Sequence, residues 1–159
     1  MRLLKPLAAL LVVIVALTSG AIVSTGAPLF QTPGIFYRVS SYLTTNGVET
    51  VPASVFPERE LTGYYRPVDQ VFAAALASAR SLGWQIRQSA EDQKTFEAIA
   101  RTPVWGFKDR IRVRVERTEQ KASALHFRGQ AGLGVADFGQ NTARLINFRA
   151  EVERRLKGE

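Results

Sequence analysis

The stretch Asp109-Arg-Ile-Arg-Val-Arg-Val-Glu-Arg117 alternates between charged residues and β-branched apolar residues. Because successive side chains of a β-strand point to opposite faces, this alternation predicts a strand with one face in a core and the other in water. The core face carries Ile111, Val113 and Val115. A strand with a buried face needs neighbouring strands, and the flanking sequence supplies them.

The opposite face of the predicted strand carries Arg110, Arg112 and Arg114. Alternate residues of a strand stand about 6.6–6.8 Å apart, which is close to the separation of neighbouring phosphates or anionic headgroups. This spacing makes the three arginines a candidate binding surface for an anionic partner. A solvated face whose arginines pair with acidic side chains such as Glu97 on a neighbouring strand is the competing interpretation.

Further strands are predicted on both sides of this stretch. Residues 84–89 and 95–101 alternate in the same way and are separated by a turn at 90–93, which predicts a hairpin. Residues 118–121 turn the chain back into another strand over 122–128, and residues 61–66 predict one more short strand. We therefore expect a sheet of about four to five strands.

Two helices complete the predicted domain. Apolar residues recur every three or four positions between residues 68 and 82, and Gly83 follows where a C-terminal cap belongs. The terminal helix carries an apolar stripe made of Leu145, Phe148, Val152 and Leu156. Short connections favour an antiparallel sheet covered on one face by these two helices. The predicted fold class is α+β.

Residues 1–26 predict a signal-anchor or transmembrane segment. No charged side chain lies between Pro6 and Tyr37, so the run supplies the roughly 20 residues that cross a bilayer core of about 30 Å. The basic residues Arg2 and Lys5 and the small residues 19–21 also match a cleavable signal peptide. We favour an uncleaved anchor, because the uncharged run continues beyond the small residues. The positive-inside tendency then predicts an extracytoplasmic (periplasmic or cell-surface) domain.

Residues 27–60 contain Pro33, Pro52 and Pro57 and show little sustained periodicity. A residue that precedes proline is biased away from helix. We therefore expect an extended linker over 27–60, followed by the globular domain over 61–159.

A glycine-rich segment, residues 128–145, leads into the terminal helix. Its glycines permit positive φ angles and close approach of the backbone, and Asp137 is expected to be the N-cap of the helix. A phosphate-binding loop is a weaker interpretation, because Asp137 would repel an anion and the third glycine of a dinucleotide fingerprint is missing. Asp137 and Asn141 supply two oxygen ligands, far fewer than calcium requires.

Composition excludes several kinds of site. The chain has no cysteine, so disulfides, a lipidated cysteine, thiolate metal ligands and a cysteine nucleophile are excluded. Its single histidine, His126, lies in an alternating segment and is interpreted as a strand-surface residue without a second imidazole for zinc. No nucleophile, base and orienting group can be placed together, so we expect no enzyme activity, no metal and no cofactor.

The charge balance of the chain indicates a kind of partner. Only Arg2 and Lys5 of the 21 basic residues precede Ala27, and the remaining 19 outnumber the 14 acidic residues. This excess favours an anionic lipid surface, an envelope polymer or an acidic protein. Nucleic acid is disfavoured by the predicted location.

Several short motifs resemble the signature of the family known as domain of unknown function 1499. They are Trp84, Phe96-Glu97-Ala98, Gly106-Phe107-Lys108-Asp109 and Gly134-x-x-Asp137-x-Gly139-x-Asn141-x-x-Arg144. The resemblance covers roughly residues 68–156, and its last motif is the most specific because several spaced positions agree. It implies an envelope or plastid-type setting and no established activity.

The chain departs from the family pattern at two places. Members usually carry a Ser-Arg pair before the glycine of the last motif and a second aspartate after Phe-x-Asp, where this chain has Ala131-Gly132 and Arg110. The resemblance therefore implies that a pair of opposite charges is missing here, together with any arginine-dependent site that the family shares.

Two functions remain open from the sequence. We favour a non-catalytic, membrane-tethered envelope domain with a recognition surface beside the three strand arginines. Its residues would be Arg128, Asp137, Asn141, Arg144, Arg110, Arg112 and Arg114. The alternative is a carrier of lipid or another hydrophobic ligand. Its apolar pocket would be lined by Trp84, Phe96, Trp105 and Phe127.

Overall fold

The computed structural model of the chain describes residues 4–103, 106–119 and 121–158. Its helices are α1 (Leu4–Thr25), α2 (Ile35–Thr44), α3 (Val68–Ser81) and α4 (Gln140–Lys157), with a short 3-10 turn at Pro57–Arg59. Its strands are β1 (Gly47–Glu49), β2 (Thr62–Tyr64), β3 (Gln85–Ala90), β4 (Thr95–Arg101), β5 (Lys108–Glu116) and β6 (Ser123–Gln130). The described residues form an α+β fold, which confirms the predicted class.

The strands form one antiparallel sheet in the order β1-β6-β5-β4-β3, and β2 also pairs with β6. The alternating stretch that predicts a strand is β5, which lies at the centre between β4 and β6. In this register Arg112 lies opposite Glu97 on β4 and opposite Arg128 on β6. The predicted meander is therefore confirmed, and β1 adds one strand beyond the four or five expected.

Helices α3 and α4 cover one face of the sheet and enclose the core. Ile111, Val113 and Val115 of β5 are buried beneath them, as the alternation predicts. The Trp84 ring stacks on Phe148 of α4 at a centroid distance of 5.0 Å and lies 6.2 Å from Phe127 of β6. Aromatic contacts of this kind contribute about 0.5–1.5 kcal/mol beyond the burial of their surface. The core thus joins the terminal helix to the centre of the sheet.

The prediction of an extended linker over residues 27–60 is wrong. This segment contains α2, β1 and the 3-10 turn, and β1 pairs with Arg128–Gln130 of β6. The prolines lie outside α2, so their bias against helix does not act on it. The buried positions of α2 are Arg38 and Tyr42, four residues apart, and an arginine on the buried side hides the periodicity that aliphatic residues would show.

Helix α1 is long and apolar enough to span a membrane and runs directly into the domain. Its residues Pro6–Thr25 have a mean hydropathy of 2.5, and most of its apolar side chains are exposed. Its last turn packs against the domain, because Ile22 is buried in a second cluster with Ala27, Tyr42 and Ala143. This cluster packs the end of α1 against α2 and the start of α4.

We expect Gly139→Ala to destabilise the packing of the start of α4 against α2 and against the residues that follow α1. Gly139 has a φ of 83°, and a Cβ there would lie 2.7 Å from the Ala27 Cβ and 3.3 Å from the Tyr42 Cγ. The left-handed backbone costs an alanine about 1–2 kcal/mol, and overpacking adds about 1–3 kcal/mol. Urea unfolding of the detergent-solubilised chain measures the loss.

Gly158→Ala is the matched control. Gly158 has the same φ of 83°, but no heavy atom lies within 4 Å of the position that a Cβ would take there. The control variant therefore has the cost of the left-handed backbone without the cost of overpacking. Equal losses of unfolding free energy in the two variants would contradict close packing at Gly139.

Candidate functional site

A buried polar network joins the start of α4 to the start of β5. The Arg144 Nη1 atom donates to the Asp109 Oδ2 at 2.6 Å and to the Asn141 Oδ1 at 2.7 Å. The Arg144 Nη2 atom donates to the Arg101 carbonyl at 3.4 Å. Asp109 is 1% exposed, Asn141 0% and Arg144 7%. Each ion of so deeply buried a pair loses its hydration. The pair is therefore stable only where well-placed hydrogen-bond partners in the protein replace the water.

Asp137 caps α4, but it does so from outside the expected N-cap position. The N-cap residue is Gly139, and the Asp137 carboxylate reaches forward to two backbone N–H groups. Its Oδ1 accepts from the Gly139 N–H at 3.0 Å, and its Oδ2 accepts from the Asn141 N–H at 3.1 Å. Positive φ angles at Phe138 and Gly139 curl the chain so that this reach is short.

The glycine-rich segment is shaped by its contacts with this network. The Gly132 N–H donates to the second Asp109 oxygen at 3.2 Å, and a Cβ at Gly132 would lie 2.1 Å from the Lys108 carbonyl oxygen. A Cβ at Gly129 would lie 2.8 Å from the Asn141 Oδ1. These glycines therefore let the backbone and the buried amide approach closely, and they do not form a cradle for phosphate.

The predicted recognition surface divides into two groups. Asp137, Asn141 and Arg144 are buried and dock α4, so the expectation that they contribute to an exposed surface is corrected. Arg110, Arg112, Arg114 and Arg128 are exposed on the sheet face opposite the helices. We call these four residues the arginine face.

The arginine face is only partly neutralised by acidic neighbours. Arg112 pairs with Glu97, as expected, and the Arg114 Nη2 lies 3.0 Å from Glu116. The Arg128 Nε lies 3.9 Å from the Glu49 carboxylate, with both side chains more than half exposed. Within the described residues Arg110 has no ion pair. Exposed pairs such as these contribute about 0–1 kcal/mol, so the arginines are readily available to another anion.

A depression of about 160 Å³ lies on this face near the start of β5 and is lined by Arg110, Arg112, Arg128 and Gln130. Arg112 and Arg128 lie directly opposite each other on neighbouring strands, an arrangement of like charges that destabilises a sheet. A wider hollow of about 610 Å³ continues along the face past Arg114. Guanidinium groups arranged in this way can donate paired hydrogen bonds to phosphate or carboxylate oxygens.

His126 lies at the border of the arginine face. It is half-buried on β6, opposite Arg114, and its Nε2 lies 2.7 Å from the Glu116 Oε1. This placement agrees with the predicted strand-surface histidine. Among the described residues, no group of three or more His, Cys, Asp or Glu side chains could hold a metal ion.

The described side chains of the predicted apolar pocket are buried in the core between the sheet and the helices. Trp84 and Phe127 contact each other and Phe148, and Phe96 meets the Phe72 ring at a centroid distance of 6.2 Å. Trp105 lies outside the described residues. The tilted and stacked rings pack closely in the space between sheet and helices.

Sequence reasoning missed a second buried ion pair, between Arg38 of α2 and Glu58 of the 3-10 turn. The two side chains meet through Nη1–Oε1 and Nη2–Oε2 contacts of 2.7 and 3.0 Å, and Arg38 also donates to the carbonyl oxygens of Pro28, Gln31 and Thr32. Burial lowers the pKa of Arg38, but its hydrogen bonds to Glu58 and Tyr42 raise it, and the net shift is upward. Arg38 therefore stays charged and ties the chain after α1 to the domain.

A signal for this pair exists in the sequence. Arg38 is the sole charged residue between Lys5 and Glu49, and an isolated charge in an apolar region needs a partner. Asp109 lies in one of the family motifs but is not among the predicted site residues. Its position next to Arg110 places the two side chains on opposite faces, so that Asp109 turns inward to Arg144.

Comparison with known families identifies the chain. The family described as "Protein of unknown function (DUF1499)" matches residues 38–152, which is more than half of the chain and begins at Arg38. No curated protein matches the sequence significantly. The chain therefore belongs to the DUF1499 family, which confirms the resemblance. An arginine–aspartate pair is present in this member, formed by Arg144 and Asp109.

We expect Asp109→Asn and Arg144→Met each to lower the free energy of unfolding by about 3–5 kcal/mol, because each leaves a buried charge without its partner. The double variant removes both charges, so its loss should be clearly smaller than the sum of the two single losses. Denaturant unfolding of the three variants measures this coupling.

Arg112→Gln is the control for this cycle, because it breaks the exposed pair with Glu97 on the same strand. Its expected loss is at most about 1 kcal/mol. Additive losses for Asp109 and Arg144 would show that the two residues do not act as one unit.

Proposed function

We propose that this member of the DUF1499 family is a membrane-anchored, non-catalytic domain that binds an extended anionic polymer on its arginine face. The observation that carries the proposal is a sheet face with four exposed arginines, of which Arg110 has no ion pair among the described residues. A fold needs no such arrangement, because like charges opposite each other weaken a sheet. An anionic partner would turn this cost into a favourable interaction.

The proposed location rests on α1 and on the charges that precede it. The helix has the length and hydropathy of a membrane span. Arg2 and Lys5 precede the span and favour a cytoplasmic amino terminus, which puts the domain on the extracytoplasmic side, against the cell envelope. An envelope polymer rich in phosphate or carboxylate groups is the anionic partner that fits this location.

The length of the arginine face along the strands favours an extended polymer over a lipid headgroup as the partner. Arg101 at the end of β4 lines a groove together with Ser24 and Thr25, so this end of the strand lies next to the end of α1. β5 starts beside it with Lys108 and is nine residues long, or about 27 Å between its ends. A single anionic headgroup would contact only part of the arginine face, whereas an extended chain can follow all of it.

A non-catalytic role agrees with how the polar groups are used. The oxygens of Asp109 and Asp137 accept hydrogen bonds from Arg144 and from backbone N–H groups. The guanidinium groups of the exposed arginines donate hydrogen bonds and have no acceptor atom. The alternative of a hydrophobic carrier receives less support, because the three described side chains of its predicted pocket pack against other aromatic rings of the core.

We expect the full-length chain in detergent to bind fluorescently labelled polyphosphate at low salt and Arg110→Gln/Arg114→Gln to weaken this binding about tenfold or more. Each charge-assisted hydrogen bond lost contributes about 1.5–3 kcal/mol, and 1.4 kcal/mol corresponds to tenfold. Fluorescence anisotropy titrations over a range of salt concentrations measure the affinity and its salt dependence.

Arg66→Gln/Arg80→Gln is the matched control, since both arginines are exposed and lie outside the arginine face. It also removes two charges and should leave the affinity nearly unchanged. If the control weakened polyphosphate binding as much as Arg110→Gln/Arg114→Gln does, the loss of affinity would be due to net charge and not to the arginine face. Binding of a folded acidic protein but not of polyphosphate or polyglutamate would assign the face to a protein partner and overturn the proposal.

A further inference from the structure

An apolar groove of about 410 Å³ lies between the end of α1 and the domain. One wall is the last turn of α1, with Ala21, Ser24 and Thr25. The opposite wall includes Phe107, which precedes β5, and Leu133 of the glycine-rich segment. We propose that this groove holds the acyl chain of a bilayer lipid and that Leu133 is inserted into the membrane interface. The inference rests on the membrane anchoring by α1 that is proposed above.

The depth of the groove along α1 identifies the bilayer as its surroundings. The apolar span Pro6–Thr25 is 20 residues long, or about 30 Å, which equals the thickness of the hydrocarbon core. Ala21 lies one turn before the end of this span, about 6 Å below it along the helix axis. A groove with Ala21 in its wall therefore reaches into the bilayer wherever α1 crosses it.

The side chains around the groove are exposed in a way that costs free energy in water. Leu133 is 67% exposed and Phe107 46%. Large apolar side chains that are exposed together commonly mark a contact with a membrane or a partner. Phe30 and Phe36, which follow α1 closely in sequence, are 86% and 88% exposed. Burial in the interface would remove this apolar surface from water.

The glycine-rich segment presents Leu133 from a fixed base. The Ala131 N–H donates to the Asn46 carbonyl at 2.7 Å, and the Asn46 side-chain amide donates to the Gly134 carbonyl at 3.3 Å. The Gly132 N–H is held by Asp109. Hydrogen bonds on both sides of Leu133 keep its side chain directed outward, so little conformational entropy is lost when it enters the membrane.

The polar groups near the groove are compatible with a lipid. Asp109 and Asp137 lie at its floor, but their oxygens are occupied by Arg144 and by backbone N–H groups. Arg101 at the end of β4 and Lys108 at the start of β5 are exposed near the groove. Cations at such a position attract anionic headgroups. The surroundings thus combine an apolar interior with basic residues at headgroup level.

The test uses single cysteines, because the chain contains none of its own. Leu133→Cys and, as a control, Tyr65→Cys are labelled with an environment-sensitive fluorophore in the full-length chain. Tyr65 is 78% exposed and follows β2, away from the groove. The labelled proteins are placed in nanodiscs of phosphatidylethanolamine and phosphatidylglycerol that contain a lipid with a spin label on its acyl chain.

At position 133 we expect a blue-shifted emission and quenching by the spin-labelled lipid about threefold stronger than at position 65, because the label leaves water for hydrocarbon. The quenching should persist in nanodiscs of phosphatidylcholine alone, since the groove recognises the acyl chain and not the headgroup. Equal quenching at the two positions would overturn the inference. A label at position 133 that is shielded from both the lipid and a water-soluble quencher would indicate a protein neighbour and would also overturn it.

Ile14→Cys separates this inference from the proposed anchoring, because Ile14 is an exposed residue in the middle of α1. Strong quenching at position 14 with none at position 133 would leave α1 as the anchor and reject the lipid groove. Absence of quenching at position 14 would reject the membrane anchor itself. Polyphosphate binding by the arginine face is measured separately in detergent and is independent of both results.

Discussion

The buried contact between Arg144 and Asp109 is the interaction on which the rest of the structure depends. It joins the second turn of α4 to the start of the central strand at an Nη1–Oδ2 distance of 2.6 Å. The same aspartate holds the Gly132 N–H, and the same arginine holds Asn141. Because a buried charge is costly without its partner, this pair permits few alternative positions for α4 or for the glycine-rich segment.

Two parts of the surface follow from that anchoring. With Asp109 turned inward, its neighbour Arg110 must point to the opposite face, where it joins Arg112, Arg114 and Arg128. With Gly132 held against β5, the segment carrying Leu133 is directed toward the end of α1. The Arg38–Glu58 pair and the cluster around Tyr42 then fix α1 to the same body. The arginine face and the apolar groove are therefore both set by buried charges.

Most of the fold could be predicted from local patterns, whereas the site could be predicted only in part. The alternation in β5 and the three-and-four spacing in α3 are local, and the structure confirms both. The predicted role of Asp137 is nearly correct, because capping depends on residues within a few positions. The partners of Arg144 and Arg38 lie 35 and 20 residues away, and no local spacing identifies such contacts. The same limit explains why the sequence could not show that the side chains of Asn141 and Arg144 are buried.

The sequence by itself determined the apolar span of α1, the helices and strands from residue 68 onward, and the arginine side of β5, because each depends on a short-range period. Only the tertiary structure decided that residues 35–49 belong to the folded domain and that Asp109, Asn141 and Arg144 are buried. It alone brought the last turn of α1 against the glycine-rich segment. These outcomes depend on which charges pair across long distances in the chain, and the energy of such pairs is determined by burial, which a linear pattern does not contain.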